Sequence, residues 1–501
     1  MTAVSTEVAS APPTDPAASN SSGLFGRGLL YVVVWSLQLV AGTVISPVLA
    51  HVMGPTEFGA IALAIALHQL LSVFALFGID QALVLQRAED GDAHAARGLL
   101  SLGILVSAVV AIGAGLTAPL WSPVLGFSEY PELVFAVTLW TAPAAAVQVM
   151  LSFLLAEDRL RPFALVSALA AVGGQLCGLV LLFTVANNAT TYALGSVASQ
   201  FAAMLIGVVV TRPRLAGLLE WRINWRAITL GFPLAMGGLA YFALGAGDRV
   251  VIQRFLGSEE VGRYQVSYVV GAVVLMLLAY TNSAWAPRFA AVRDEAERWA
   301  MSVRTRDQLY RILLPVIIGM TLAAPLLLRI VAPASFRPES LTIVVFLVSL
   351  TAFPVAASGA SGRLLLTLRR GKTTGIIAGV AAVLNLGLNI LLVPLMGITG
   401  AALTTVCAYS VLAILQRHAL PRQHDFAAPS PRLVFAIIAT VLFAGSTILL
   451  PQTFEWNLAR FVAALACLPW FFLRLRSARL GPTLRSSRRS ARRVSEPRPL
   501  P

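Results

Sequence analysis

"SPVLAHVMGPTEFGAIA", residues 46–62, and "GDRVVIQRFLGSEEVGRY", residues 247–264, share one rhythm: apolar run, Gly, Glu, Gly, apolar run. Sliding the chain on itself by 203 residues sets His51 on Arg254, Gly54 on Gly257, Glu57 on Glu260 and Gly59 on Gly262. The two stretches read as copies. Only the second carries heavy charge, with Asp248, three arginines and two glutamates, in a chain that is 57% hydrophobic and 12% charged.

That charged fraction is about half of what soluble globular domains carry, and the mean hydropathy is +0.80. The composition therefore gives an all-α integral membrane protein, because helices satisfy their own backbone inside hydrocarbon. Apolar runs long enough to cross roughly 30 Å of hydrocarbon predict about fourteen transmembrane helices. They fall at 28–50, 59–85, 98–118, 133–156, 163–186, 190–210, 227–250, 264–286, 312–332, 339–361, 373–396, 398–416, 432–450 and 458–473. Cys177, Cys407 and Cys467 lie inside spans, which encodes no disulfide framework and reads as packing. Residues 1–27 are predicted to be a disordered cytoplasmic N-terminus. They lack the basic leader of a signal peptide, so the first span is expected to be a retained anchor.

The net charge of +14 is distributed unevenly. Arginines and the odd lysine crowd alternate connections, such as Arg87 and Arg97, Arg212 to Arg226, Arg288 to Arg311, and Arg363 to Lys372. The intervening connections 51–58, 119–132, 187–189 and 451–457 hold none. By the positive-inside rule both termini are expected in the cytoplasm and the protein in the plasma membrane. The basic tail, 474–501, is expected to lie on anionic lipid at about 1 kcal/mol per basic residue. No folded domain accompanies it, so no nucleic-acid partner is expected.

The same shift lays the first span on the seventh, and both start on the basic side. The halves are therefore predicted to be parallel repeats about an axis along the membrane normal. A fainter echo relates "YALGSVAS" (192–199) to "AALTTVCA" (401–408). The predicted plan is an N-terminal six-helix bundle over 28–211, a cytoplasmic linker over 212–226 and a C-terminal six-helix bundle over 227–416. Two further helices occupy 417–473.

Three ordered motifs carry a family resemblance: "AHVMGPTEFGAIALAIAL" (50–67), "GFPLAMGGLAYFALGAGDRVVIQRFLGSEEVGRY" (231–264) and "NLGLNILLVPLMGITGAALTTV" (385–406). Together they resemble the polysaccharide transporter branch of the multidrug/oligosaccharidyl-lipid/polysaccharide exporter superfamily, the oligosaccharide or O-antigen flippases. The resemblance spans residues 28 to about 475. It implies two six-helix bundles in a V around a central cavity, two additional helices, and export of a lipid-linked saccharide by alternating access. It also implies partners among the glycosyltransferases or polymerase of one pathway. The chain departs from the pattern at His51, where the first motif usually ends its helix with Arg, and this weakens transfer of the family's cations to the N-terminal half.

A lipid-linked saccharide asks for desolvated cations at its phosphate, amide and hydroxyl partners for its sugars, and a gap open to lipid for its tail. The substrate-binding candidates are Asp248, Arg249, Arg254, Tyr241, Asn385 and Asn389. Charges inside a membrane are functional candidates because each costs about 3 kcal/mol to insert. Neighbours at i and i+1 diverge by about 100° on a helix, so Asp248 and Arg249 are expected to find partners elsewhere. Tyr241, Gly245 and Asp248 fall on one face at helical spacing. The competing reading has Arg249 and Arg254 reaching to outer headgroups while Asp248 makes a structural pair. Asn385 and Asn389, four apart, suit sugar hydroxyls and equally suit interhelical packing.

Gln38, His68, Gln69, Asp80, Gln148, Gln175, Tyr268, Tyr280 and Asn282 are the other polar span residues. Asp80 is read as a cap, and the lone histidines as satisfied. Gly54, Gly59, Gly257 and Gly262 read as turn and close-packing residues. Glu57 and Glu260 are expected to cap the helices that follow them. The charged segment 292–311 is expected to be a solvated interfacial helix. No metal-ligand cluster, nucleophile elbow or phosphate-cradling loop is present, so neither enzyme activity nor a cofactor is expected. A cation-coupled drug exporter of the same superfamily is the first alternative, although the first span carries no acid. A polytopic glycosyl- or acyltransferase is the second.

Overall fold

The computed structural model describes residues 21–421 and 426–479, and in it the repeated stretch proves to be a helical hairpin built twice. The first helix, α1 (Ser21–Leu76), is two helices joined at Gly54. Its counterpart is the pair α9 (Gly247–Leu256) and α10 (Ser258–Ala291), joined at Gly257. Gly54 has φ 73°, ψ 174° and Gly257 has φ 85°, ψ 176°, a backbone region that is essentially reserved to glycine. A Cβ on either would meet nothing within 4 Å, so the demand there is conformation. At Gly59 and Gly262 the demand is space: a Cβ on Gly59 would lie 1.8 Å from the Ser258 carbonyl oxygen, and one on Gly262 would lie 2.1 Å from that of Pro55. The two copies therefore cross one another at their glycines.

The remaining helices run in chain order. The N-terminal half continues with α2 (Ile79–Asp90), α3 (Ala93–Trp121), α4 (Pro131–Ala156), α5 (Leu160–Ala168), α6 (Gly174–Thr184) and α7 (Ala189–Thr211). A π-helical turn joins α5 to α6. Before α9 comes α8 (Trp221–Gly245), and after α10 come α11 (Glu295–Val331), α12 (Thr342–Leu350), α13 (Ala352–Thr367), α14 (Gly371–Met396) and α15 (Ile398–His418). The last two are α16 (Pro431–Thr447) and α17 (Phe454–Arg479). Local chemistry sets several starts. Pro131 and Pro431 occupy first helical positions, where a missing N–H costs nothing. Asn188 accepts from the Thr191 amide at 2.8 Å, and Asp294 from the Glu297 amide at 3.0 Å, as good N-caps do.

Twelve helical segments among the described residues are long and apolar enough to cross a membrane. One of them, Ala41–Leu76, contains the Gly54 junction, and α16 adds a shorter apolar helix of 17 residues. The expected spans map onto these segments, so the count of about fourteen stands as an approximation. Both halves contribute to one apolar core, in which Leu63 and Leu67 of α1 join Val261 and Val266 of α10. A second core belongs to the N-terminal half, around Leu99, Val149 and Met150.

Two expectations about charged residues are corrected. Segment 292–311 is no separate interfacial helix, because α11 runs unbroken from Glu295 into the span. Trp299 and Arg306 are buried, Ser302 donates to the Ala360 carbonyl at 3.0 Å, and the Arg306 guanidinium lies 5.0 Å from the Phe426 ring. Apolar residues at helical spacing inside the charged run give it a face to bury. Glu57 does not cap its own helix: its carboxylate accepts from the Ala189 amide at 2.7 Å and so caps α7. Glu260 pairs with Arg263 one turn on, whose guanidinium also donates to the Phe336 carbonyl at 3.1 Å and to Ser340 at 2.6 Å. Asp80 lies in the first turn of α2. His68 is stacked on Trp140 at 4.1 Å and lies 3.4 Å from the Thr141 hydroxyl, so it is satisfied as expected. The N-terminal residues 1–20, the end of the basic tail from 480, and the side chains of Gln38, Tyr280 and Asn282 lie outside the described residues.

Candidate functional site

The helix expected over 227–250 breaks at Ala246 (φ −140°, ψ −8°), and α9 begins anew at Gly247. The break decides where the charges go. Asp248 and Arg249 stand at the start of α9, 2% and 6% exposed, in the interior of the C-terminal half. Arg249 Nη1 donates to Asp248 Oδ1 at 2.9 Å. The expectation that adjacent residues could not pair is thus wrong. It holds within a helix, whereas a first-turn carboxylate is free to turn back, and Asp248 Oδ1 also accepts from the Arg249 amide at 2.9 Å.

The rest of the cluster comes from across the Gly257 turn. Residues equidistant from a hairpin turn oppose one another, which sets Gln265 against Arg249. Arg249 Nε donates to Gln265 Oε1 at 2.9 Å, and Nη1 also donates to the Gly245 carbonyl at 3.0 Å. The Tyr264 hydroxyl donates to Asp248 Oδ2. The guanidinium carbon stands 4.4 Å from the centre of the Tyr268 ring and 5.6 Å from that of Tyr264, within cation–π range. The result is a buried ion pair with most of its hydrogen-bonding positions filled, the condition under which such a pair can be tolerated.

Internal symmetry makes the cluster informative. At the repeat shift, the places of Asp248, Arg249, Tyr264, Gln265 and Tyr268 are held by Ile45, Ser46, Ile61, Ala62 and Ile65. One hairpin interior is polar and its twin is apolar. Ser46 is 6% exposed and its hydroxyl finds no partner among the described residues.

The other candidates separate. Arg254 is exposed at the end of α9, as is its repeat counterpart His51, whose Nδ1 lies 2.8 Å from the Pro47 carbonyl oxygen. Arg254 therefore does not join Arg249. Tyr241 is 51% exposed, and the break at Ala246 lies between it and Asp248. Asn385 and Asn389 are 1% and 0% exposed. Asn389 Nδ2 donates to the Asn385 carbonyl at 3.0 Å and to its Oδ1 at 3.1 Å. Asn385 Nδ2 and Asn389 Oδ1 find no partner among the described residues, which costs about 1–3 kcal/mol per group when buried. Sequence patterning alone does not single out Gln265 or Tyr264. The signal that finds them is reflection of the chain about Gly257. Among the described residues no group of three His, Cys, Asp or Glu could hold a metal ion.

The halves also touch outside this cluster. Gln253 Nε2 donates to the Gly126 carbonyl at 3.0 Å, and the Tyr130 and Ser258 hydroxyls are 2.9 Å apart. Together with the Gly59–Gly262 crossing and the edge-to-face pair Phe58–Phe336 at 5.8 Å, these contacts join the halves at the end away from the basic connections.

Comparison with known proteins places this architecture. The chain is 23% identical over 404 residues to the probable flippase AglR of Haloferax volcanii, covering 77% of this chain and 81% of that one. It is 25% identical over 312 residues to the succinoglycan biosynthesis transport protein ExoT of Rhizobium meliloti, covering 59% of this chain and 61% of the relative. Among solved structures, the lipid II flippase MurJ in an inward closed conformation superposes with a TM-score of 0.58 at 13% identity, over 88% of this chain and 98% of that one. An inward-facing multidrug resistance MATE transporter of the MOP superfamily superposes with a TM-score of 0.57 at 14% identity, over 84% and 99%. At such identities these two show a shared fold. Residues 48–338, more than half of the chain, match the polysaccharide biosynthesis protein family, and the chain belongs to it.

Proposed function

We infer that the protein is a flippase that carries a lipid-linked oligosaccharide, or a related glycolipid, from the inner to the outer leaflet for cell-surface polysaccharide biosynthesis. The observation that carries the reading is the match to flippase and polysaccharide-transport relatives, in a chain whose C-terminal half buries the Asp248–Arg249 pair. The polar hairpin interior suits an anionic head and its apolar twin suits the rest of the ligand. In this reading Arg249 exchanges Asp248 for phosphate when substrate arrives, and Tyr264 retains the carboxylate. Asn385 Nδ2 and Asn389 Oδ1, the amide atoms left unspent, serve sugar hydroxyls. Arg254 and Tyr241 act nearer the surface. Alternating access moves the substrate, and the protein itself transforms nothing.

Deleting the gene is expected to strand lipid-linked glycan on the cytoplasmic leaflet and to remove a surface polysaccharide, measured by leaflet-selective labelling and by surface glycan staining. Glycosyl transfer by purified protein in detergent would sink this reading in favour of an enzyme. A deletion that leaves surface glycan intact but sensitises cells to cationic drugs would favour the drug exporter. Glycosyltransferases of the same pathway are the expected partners.

We further propose that both termini are cytoplasmic, supported by the alternation of basic connections. Substituted cysteines at 86–97, 212–226 and 287–311 are expected to react only from the cytoplasmic side, and those at 51–58 and 451–457 only from outside. Opposite-side labelling of the two ends of the chain would overturn this arrangement.

A further inference from the structure

At the end of α17 away from the basic connections, a knot of buried polar atoms is only half used. Arg460, on the face of α17 that packs along α11, is 3% exposed. Among the described residues its hydrogen bond runs from Nη2 to the Pro451 carbonyl at 3.5 Å, and its Nε has no partner. Asn457, one turn earlier, is 1% exposed, and its Nδ2 donates to the Gln452 carbonyl at 3.4 Å. The same carbonyl accepts from Arg329 of α11 at 3.1 Å. The side-chain oxygens Gln452 Oε1 and Asn457 Oδ1 are buried and find no donor among the described residues. A desolvated cation and two desolvated acceptors thus stand together unspent, and leaving such groups unpaired is costly.

Immediately below lies an apolar cavity of about 250 Å³. Gly319, Ala323 and Leu327 of α11 and Ala464, Leu468 and Phe471 of α17 line it. It is smaller than the roughly 300–1,000 Å³ that encloses a whole drug-sized ligand, so it holds a stretch of one hydrocarbon chain. Arg460 sits about 9 Å into α17 at 1.5 Å per residue, in the second turn of the helix. Leu465 and Leu468, each 48% exposed, show that the outer side of α17 is open.

We propose that the α11–α17 seam binds one phosphate-headed, hydroxyl-bearing lipid of the bilayer, of the phosphatidylglycerol class, with its phosphate on Arg460, its head hydroxyls on Gln452 and Asn457, and an acyl chain in the cavity below. The chemistry matches group by group. Phosphate takes the guanidinium's unused N–H, head hydroxyls take the two amide oxygens, and the chain takes the apolar lining. The source is the bilayer because α17 is open on its outer side, so a lipid enters sideways without crossing the bundle that holds Asp248 and Arg249. The proposal rests on the membrane architecture alone and is independent of what the protein transports.

Native mass spectrometry and thermal unfolding of the purified full chain test it. The probes are phosphatidylglycerol, phosphatidylcholine with the same chains, a polyprenyl phosphate and inorganic phosphate. Wild type is expected to bind and be stabilised by phosphatidylglycerol, with the other three at least about tenfold weaker, which corresponds to ~1.4 kcal/mol. Arg460→Ala is expected to weaken phosphatidylglycerol about tenfold or more, and Arg460→Lys less, since a point charge replaces the fork in part. A Cβ on Gly319 would lie 3.4 Å from Cys467 Cβ, so Gly319→Leu fills the cavity and is expected to block binding with Arg460 intact. Should Arg460→Ala fail to fold, Arg460→Lys and Gly319→Leu still probe the headgroup and chain contacts. Equal binding of phosphatidylcholine, or unchanged binding in Arg460→Lys and Gly319→Leu alike, overturns the proposal. A polyprenyl phosphate that outcompetes phosphatidylglycerol at Arg460 overturns the assignment to a bilayer lipid.

Discussion

Arg249→Ala is expected to abolish export and to destabilise the protein by roughly 3–5 kcal/mol, the usual result of stranding one member of a buried ion pair. Asp248 would remain 2% exposed with the Tyr264 hydroxyl and the residue-249 amide as its donors, and a carboxylate in that setting is not supported by two neutral donors without a cation. Asp248→Ala is expected to be equally costly, leaving the guanidinium with Gln265 and Gly245. The double variant Asp248→Ala/Arg249→Ala separates the roles. With both charges gone it is expected to be more stable than either single variant and still inactive, because the cation that meets the substrate is missing. Arg249→Lys keeps the charge, loses the fork that reaches Gln265, Asp248 and Gly245 together, and is expected to restore export in part. Thermal unfolding and surface-glycan complementation measure the two effects. Normal export by the double variant would reduce the cluster to a structural element.

Pairing within the site escapes the sequence for a local reason. Ala246 is flanked by Gly245 and Gly247, but glycine is frequent inside membrane helices and announces no break by itself, so α8 and α9 read as one span that sets Asp248 on a helical face with Tyr241. Once Ala246 leaves helical geometry, spacing rules built on 3.6 residues per turn stop applying across it. Motif glycines are legible because their demands are extreme. Gly54 and Gly257 both have positive φ at hairpin turns inside the first two motifs, whereas Gly397, which the repeat does not single out, holds the same place in the third motif with φ 63°. The membrane class and the repeat need only composition and self-comparison. The destination of Glu57 is not legible, since α7 is distant in sequence and its first N–H groups select the carboxylate only after the bundle has assembled. Segment 292–311 misleads through its charge density, which outweighs the small set of positions, Trp299, Ser302, Arg306 and Leu309, that share its buried face.

Gly59→Val and Gly262→Val are expected to arrest transport with the two halves held apart. Ser258 and Pro55 carbonyl oxygens, 1.8 and 2.1 Å from where each new Cβ would begin, belong to backbone and cannot rotate away. Carbon contacts settle at about 3.5–4.0 Å, so the crossing must open by roughly 2 Å or more. Overpacking of this kind costs about 1–3 kcal/mol where a core relaxes. Here relaxation also breaks the adjacent links, Tyr130 to Ser258 and Gln253 to Gly126. Gly54→Ala provides the contrast: it strains the turn through its φ of 73° but introduces no contact, so it is expected to lower stability without separating the halves. Spin labels at Ser128→Cys and Glu259→Cys, both exposed beside these links, are expected to report a longer distance in Gly262→Val than in wild type, and no change in Gly54→Ala. If Gly262→Val transports normally at an unchanged label distance, the crossing is not a gate, and the copied glycines serve only to bring two helices together during folding. If the distance grows while transport persists, the halves part at this end without consequence, and control of access must lie nearer the Gly78–Gly231 contact, where a Cβ on Gly78 would come within 2.4 Å of the Gly231 carbonyl.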